Sequence, residues 1–249
     1  MASIDKMASA SRVVLIFGET FQDLGVVAHR IIGGPGGVDK GSMVSFVRAV
    51  LDEGQGRVGV ILANMGQLLW WAEGDPPRPL TRSALAGAPM RSAVHDFPRG
   101  AAIPNHGSTS EHVRAIFEEV VPALVPTAAA LDIVAVGDAA DVVEAYLDHE
   151  DVWRRWRSRL GCFANVGGYF PVWELKCDGF KQFLRNVSFL CQHPILRPLS
   201  FYAIINHINH CGAISHLKYN NYTFHLKTIR DKTRLTNDIL AGSRLYTLY

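Results

Sequence analysis

The chain has 249 residues, 48% of them hydrophobic and 19% charged, with a formal net charge of +2 at pH 7. That balance excludes an intrinsically disordered chain, and as a whole-chain property the net charge argues neither for nor against nucleic acid. No run of about 18 apolar residues exists, which excludes a membrane-spanning helix, and the first 11 residues lack the apolar core of a secretory signal.

In chain order, residues 12–17 (RVVLIF) form a short β-branched apolar run that stops at Gly18, the pattern of a strand buried on both faces. Residues 42–53 place Met43, Phe46, Val47, Val50 and Leu51 at helical spacing, and Gly54 ends them. Residues 59–63 (GVILA) predict the next strand. Residues 108–121 predict the clearest helix. Ser108 and Glu111 form a capping box, and Val113, Ile116, Phe117, Val120 and Val121 make its inward stripe. A third buried strand is predicted over 131–136, then a helix over 139–147, a helix over 151–160, and a strand over 162–166. Strands alternating with helices imply βαβ units: an α/β fold with a mainly parallel open sheet flanked by helices. The span 67–105 breaks this rhythm. It reads as a long loop with six prolines, functional by its length.

Near Asn186 the composition changes. The last 64 residues hold no Glu, no Trp, two acids (Asp231 and Asp238) and seven Lys or Arg, and the formal charge runs from about −3 before the break to +5 after it. This divides the chain into a disordered N-terminus at 1–11, an α/β domain at 12–185 and an atypical tail at 186–249. The four cysteines, Cys162, Cys177, Cys191 and Cys211, are scattered without a CxxC pair, which fits reduced thiols rather than a disulfide framework.

Five local patterns bear on chemistry. The glycine-rich stretch at 33–37 precedes Lys40-Gly41, so the phosphate-loop pattern fails and a flexible turn remains. The strand-to-helix turn Val136-Gly137-Asp138-Ala139-Ala140 puts Asp138 where a nucleophile elbow would carry Ser. Asp138 is then either a nucleophile forming an ester or the N-cap of the following helix. As a nucleophile it would use donors near Gly18, Glu19 and Thr20 for the developing oxyanion. Trp70 and Trp71 follow a strand end with Gln67, where open α/β sheets bind ligands; in an extended segment one Trp would anchor the core and the other meet a partner. Trp153, Trp156 and four arginines at 154–159 make either a phosphate grip or a helix with a solvated basic face. Cys191, His193, His207, His210 and Cys211 are too irregularly spaced to read as a zinc site. No metal or other cofactor is expected.

Several stretches together resemble the argonaute-binding-protein-two domain family, in particular its short fungal members. They are Phe17-Gly18-Glu19-Thr20 with Gln22-Asp23-Leu24-Gly25, Asn64-Met65-Gly66-Gln67 with Trp70-Trp71, Ile103-Pro104-Asn105 leading into Glu111-His112-Val113, the run from Asp132 to Asp138, and Trp173-Glu174-Leu175-Lys176 with Asp178-Gly179-Phe180. The resemblance covers roughly residues 12–185. It implies an α/β-hydrolase-like fold, incomplete here at the C-terminus because relatives continue with a loop and closing helix that the tail does not show. Some relatives keep a Ser at the elbow that here has Asp138. The resemblance also implies a non-catalytic protein-interaction module, with an argonaute-type or chromatin-silencing partner and a role in small-RNA or histone-deacetylase-associated silencing. Its location would be the nucleus or cytoplasm, without secretion, membrane attachment or direct nucleic-acid contact. Gln67, Trp70 and Trp71 are the expected binding residues. The alternatives are a hydrolase using Asp138 and a non-functional truncated product. The tail reads as translated intron or frameshifted sequence, or else as a diverged C-terminal element.

Overall fold

The computed structural model describes residues 7–72, 76–81, 101–167, 172–191, 216–219, 222–226 and 247–248. Its centre is a five-stranded parallel sheet in the order β2-β1-β6-β7-β8. These strands are β1 (Arg12–Phe17), β2 (Val58–Ala63), β6 (Ala130–Val136), β7 (Leu160–Val166) and β8 (Ser188–Cys191). β1 pairs in register with β2 on one side and β6 on the other, from Arg12 to Phe17. This is the parallel α/β fold that the alternating pattern predicts.

The sheet is buried on both faces, which is why its strands are apolar runs rather than alternating ones. Val13, Leu15, Phe17, Leu131, Ile133 and Phe163 face one core cluster. Val14, Ile16, Val134, Val136, Cys162 and Val166 face the other. Between β1 and β2 lie three short helices, α1 (His29–Ile32), α2 (Gly37–Gly41) and α3 (Val44–Glu53). Phe46 and Val50 of α3 fill the second cluster. The first cluster takes α4 (Thr109–Ala115) with the turns that extend it, α6 (Ala139–Leu147), α7 (Glu150–Trp156) and α8 (Asp178–Val187). Phe117 is its hub, fully buried and within 5.0–6.0 Å of the rings of Phe17, Tyr146 and Trp156. Packing begins ahead of residue 12, since Met7 and Ala10 are buried in this cluster.

Three elements depart from the sequence reading. The helix predicted over 108–121 does not run uniformly. α4 passes into a π-helical segment, Ile116–Val120, then into α5 (Val121–Leu124). Pro122 has no N–H to give the Glu118 carbonyl, and the Val121 N–H bonds back to Ile116 O, five residues away, so the register slips at that point. The helix predicted over 151–160 ends at Trp156, and Leu160 already belongs to β7. The span 67–105 is not a structureless loop. It carries an antiparallel sheet in the order β4-β3-β5, formed by β3 (Leu69–Trp71), β4 (Arg78–Leu80) and β5 (Ala101–Ala102).

The sheet continues past the composition break. β8 pairs in parallel with β7 from Phe163↔Ser188 to Val166↔Cys191. Three further strands of the tail, His216–Tyr219, Tyr222–Leu226 and Thr247–Leu248, pair with one another in a separate sheet.

Candidate functional site at the carboxyl edge of the sheet

β1 and β6 are neighbours, and the chain leaves them toward opposite faces: toward α3 after β1 and into α6 after β6. This is the topological switch point, where open α/β sheets form a ligand crevice. Here the crevice is filled by the protein itself. The apex of the turn after β6 is Gly137, with φ +61°, and a Cβ there would lie 2.6 Å from Cγ of Glu19. Glu19 therefore lies directly against the apex, in the space a side chain would need. Asp138 comes one residue later, back in the right-handed region (φ −69°, ψ −14°). Its carboxylate accepts the Thr20 N–H at 3.0 Å and the Thr20 hydroxyl. Asp138 occupies the N-cap position of α6, yet its side chain makes no capping bond. Capping is thus not its role: the donors on the β1 loop have captured the carboxylate.

The turn thus brings Asp138 together with Glu19 and Thr20, as the sequence reading grouped them. It does not leave the Thr20 N–H open to an incoming oxyanion, because Asp138 already takes it.

The loop after β2 docks on the loop after β1. Met65 is buried at 1% exposure. At Gly66 the chain comes so close to the Gln22 backbone that a Cβ would sit 1.9 Å from its carbonyl oxygen. Gln67 straps the two loops. Its N–H donates to Asn64 Oδ1 (3.1 Å), its Nε2 donates to Asp23 Oδ1 (3.2 Å), and its Oε1 accepts the Leu24 N–H (3.4 Å). Gln67 is thereby committed to intramolecular bonds.

Trp70 and Trp71 lie on β3, the central strand of the small sheet. Trp70 is 40% exposed. Trp71 is half-buried, with the Arg78 guanidinium 5.2 Å from its ring centre. Neither anchors the main core. Phe21 and Leu24 of the strapped loop are also exposed, so apolar groups stand on both β1-loop and β3 segments.

The remaining motifs resolve into structure. On α7, Trp153 and Trp156 are buried. Arg154 pairs with Glu150 and Arg155 with Glu118, and Arg159 donates to the carbonyls of Ala129 and Pro126, which leaves little of a phosphate grip. Asp148 accepts the N–H groups of Lys176 and Cys177 at 2.8 Å, pinning the approach to α8. Cys162 and Cys177 are buried cysteines, and the Cys177 thiol donates to Glu150 Oε2 at 3.2 Å. His193, His207, His210 and Cys211 lie outside the described residues, as does the side chain of Cys191. Among the described residues, no group of three or more His, Cys, Asp or Glu is placed to hold a metal ion, and no helix is long and apolar enough to cross a membrane.

Two buried titratable groups escaped the sequence reading. Glu144 on α6 is 4% exposed and accepts from Asn165 Nδ2 of β7 at 3.3 Å. Burial first, then the neighbouring charge of Asp141, pushes its carboxyl up to about 8. His112 on α4 is buried against His106, and burial with the His106 charge pulls it down to about 4. A carboxylate or imidazole on the inward stripe of a helix is the signal, since Glu144 follows Ala140 and Val143 on the buried face.

A sequence model of the Arb2 domain matches residues 3–189. The chain belongs to the Arb2 domain family. The match ends inside β8, four residues beyond the point where the residue-by-residue resemblance gives out. No curated protein and no solved structure matches the chain. In this Arb2 domain the quoted motifs bind one another: the β1 and β2 loops through Gly66 and Gln67, and the β1 and β6 loops through Thr20 and Asp138.

Proposed function

We propose that this Arb2 domain is a non-catalytic protein-interaction module of a silencing pathway, taking an argonaute-type or chromatin-silencing protein as its partner. The observation that carries the reading is the filled switch point. The apex is a glycine with no nucleophilic atom, Glu19 lies against it, and both Thr20 donors hold Asp138. A carboxylate nucleophile needs free donors for the developing oxyanion, and both Thr20 donors are already taken by Asp138 itself. The binding surface is the exposed face of the small sheet that carries Trp70, since exposed aromatic anchors dominate interface energetics. Trp71, under Arg78, positions β3, and Gln67 fixes the neighbouring loop.

The test is co-purification of candidate argonaute and deacetylase-complex subunits with the intact chain and with Trp70→Ala. Capture at least tenfold weaker, with an unchanged melting temperature, is the expected result. A folded Trp70→Ala chain that captures the same partner as well as the wild type overturns the assignment of the surface. Turnover of acyl or haloalkyl probes that disappears in Asp138→Ala would return the hydrolase reading.

A further inference from the structure

We propose that His106 and His112 form a proton-controlled clasp that holds the β3–β4–β5 sheet, and with it Trp70, against α4. His112 is the fourth residue of α4, whose N-cap, Ser108, accepts the Glu111 N–H. It is 7% exposed and fixed to the core. His106 stands on the turn between β5 and α4. Its Nδ1 lies 2.6 Å from Nδ1 of His112, with ring centres 4.7 Å apart. The same turn runs directly from β5, whose Ala101 and Ala102 pair with Trp70 and Leu69. It is compact, because the His106 N–H donates to Ile103 O and Asn105 takes φ +62°. The imidazole contact is therefore a part-buried tie between the turn that leaves the small sheet and α4. The second tie, Asn105 Nδ2 to Glu119 Oε1 at 3.3 Å, is exposed and contributes little alone.

Two ring nitrogens at this distance share one proton: one donates and the other accepts. A first added proton leaves an imidazolium donating to an imidazole, and the contact survives. A second leaves two N–H groups and two positive charges facing each other, and the contact is lost. Nε2 of His112 is buried with no hydrogen-bond partner among the described residues, so once a second proton reaches Nδ1 the imidazolium has no acceptor on its other side. Burial and the His106 charge hold His112 down to about 4, which sets where the second proton arrives. The Glu111 carboxylate lies beside this turn, 3.0 Å from where a Cβ on Gly107 would stand, and the remaining charged groups are turned elsewhere. Glu111 and Arg114 of α4 line a groove of about 290 Å³ with Tyr146 of α6 and His149, the N-cap of α7. Glu118 takes Tyr146 and Arg155, Glu119 takes Asn105, and Glu144 takes Asn165. Asp141 lies on the exposed side of α6. Among the described residues, His106 is the charge that acts on His112.

The consequence for partner capture rests on the reading proposed above, but the clasp is tested without a partner. Amide hydrogen exchange on the full chain, corrected for the intrinsic rate at each pH, compares Leu69, Trp70 and Trp71 with β1 and β6. In the wild type, β3 protection is expected to fall at least tenfold between pH 6.5 and pH 4, with β1 and β6 unchanged. His106→Ala is expected to lack that protection at both pH values. His106→Asn, which keeps a hydrogen-bonding group near the Nδ1 position and does not titrate, is expected to retain it at both. Wild-type β3 protection that ignores pH, a His106→Ala chain protected like the wild type, a pH response that persists in His106→Asn, or a loss shared equally by β1 and β6 each overturns the clasp.

Discussion

At the scale of single residues, two glycines decide whether the carboxyl edge assembles. Gly137 combines a left-handed φ with contact to Glu19. Gly137→Ala is expected to cost about 1–3 kcal/mol from the backbone alone, with a further loss as Glu19 is displaced. Chemical denaturation of the variant checks this, and a midpoint equal to the wild type would mean that the turn is not held as described. Gly66 differs in kind. Its φ is ordinary, and what forbids a side chain is the Gln22 carbonyl. The sequence marks both as punctuation after a strand, but not which backbone or side chain crowds them, because those neighbours lie 44 and 118 residues away. Asp138 shows the same limit. Its place at a helix start suggests a cap, and only the fold places the Thr20 donors nearer to its carboxylate than the helix's own N–H groups.

Among elements, α6 is the one with an internal cost. It turns Glu144 into the core against Asn165 of β7. The folded state holds that carboxyl's proton up to about 8, whereas the unfolded chain releases it near the ordinary 4.5. The raised value means that the folded state binds the extra proton. Stability from this group is therefore complete below about pH 4.5 and is lost as pH rises through 8. Glu144→Gln removes the titration while keeping the shape. It is expected to match the wild type at pH 5 and to be more stable by on the order of 2–4 kcal/mol at pH 9. Equal stability curves across that range would refute the assignment. The helix after Ser108 shows how one residue redirects an element: the capping box and apolar stripe are legible in sequence, and Pro122 converts the predicted continuous helix into α4, a π segment and α5.

At the scale of the molecule, the composition break at Asn186 and the structural boundary do not coincide. The Arb2 match reaches 189, and β8 pairs with β7 through Cys191. Limited proteolysis of the full chain is expected to leave a resistant fragment whose end, read by mass spectrometry, lies beyond Cys191. A fragment ending near Arg185 would show that β8 adds no protection. Trp70 belongs to this scale too, since its presentation depends on β5, on the turn at Asn105 and on α4 together.

The sequence by itself determined the α/β class, four of the five strands of the main sheet and the apolar stripes of the helices near 42–53 and 108–121. These follow from local periodicity and from apolar runs that must be buried on both faces. It also determined the family, since its motifs stand in a fixed order. Tertiary structure alone decided that 67–105 carries a second sheet, that Gln67 is a strap, that the switch point is filled and that His106 meets His112. Each of these depends on contacts between segments whose meeting is set by the packed sheet, and no spacing within one segment encodes which partner arrives.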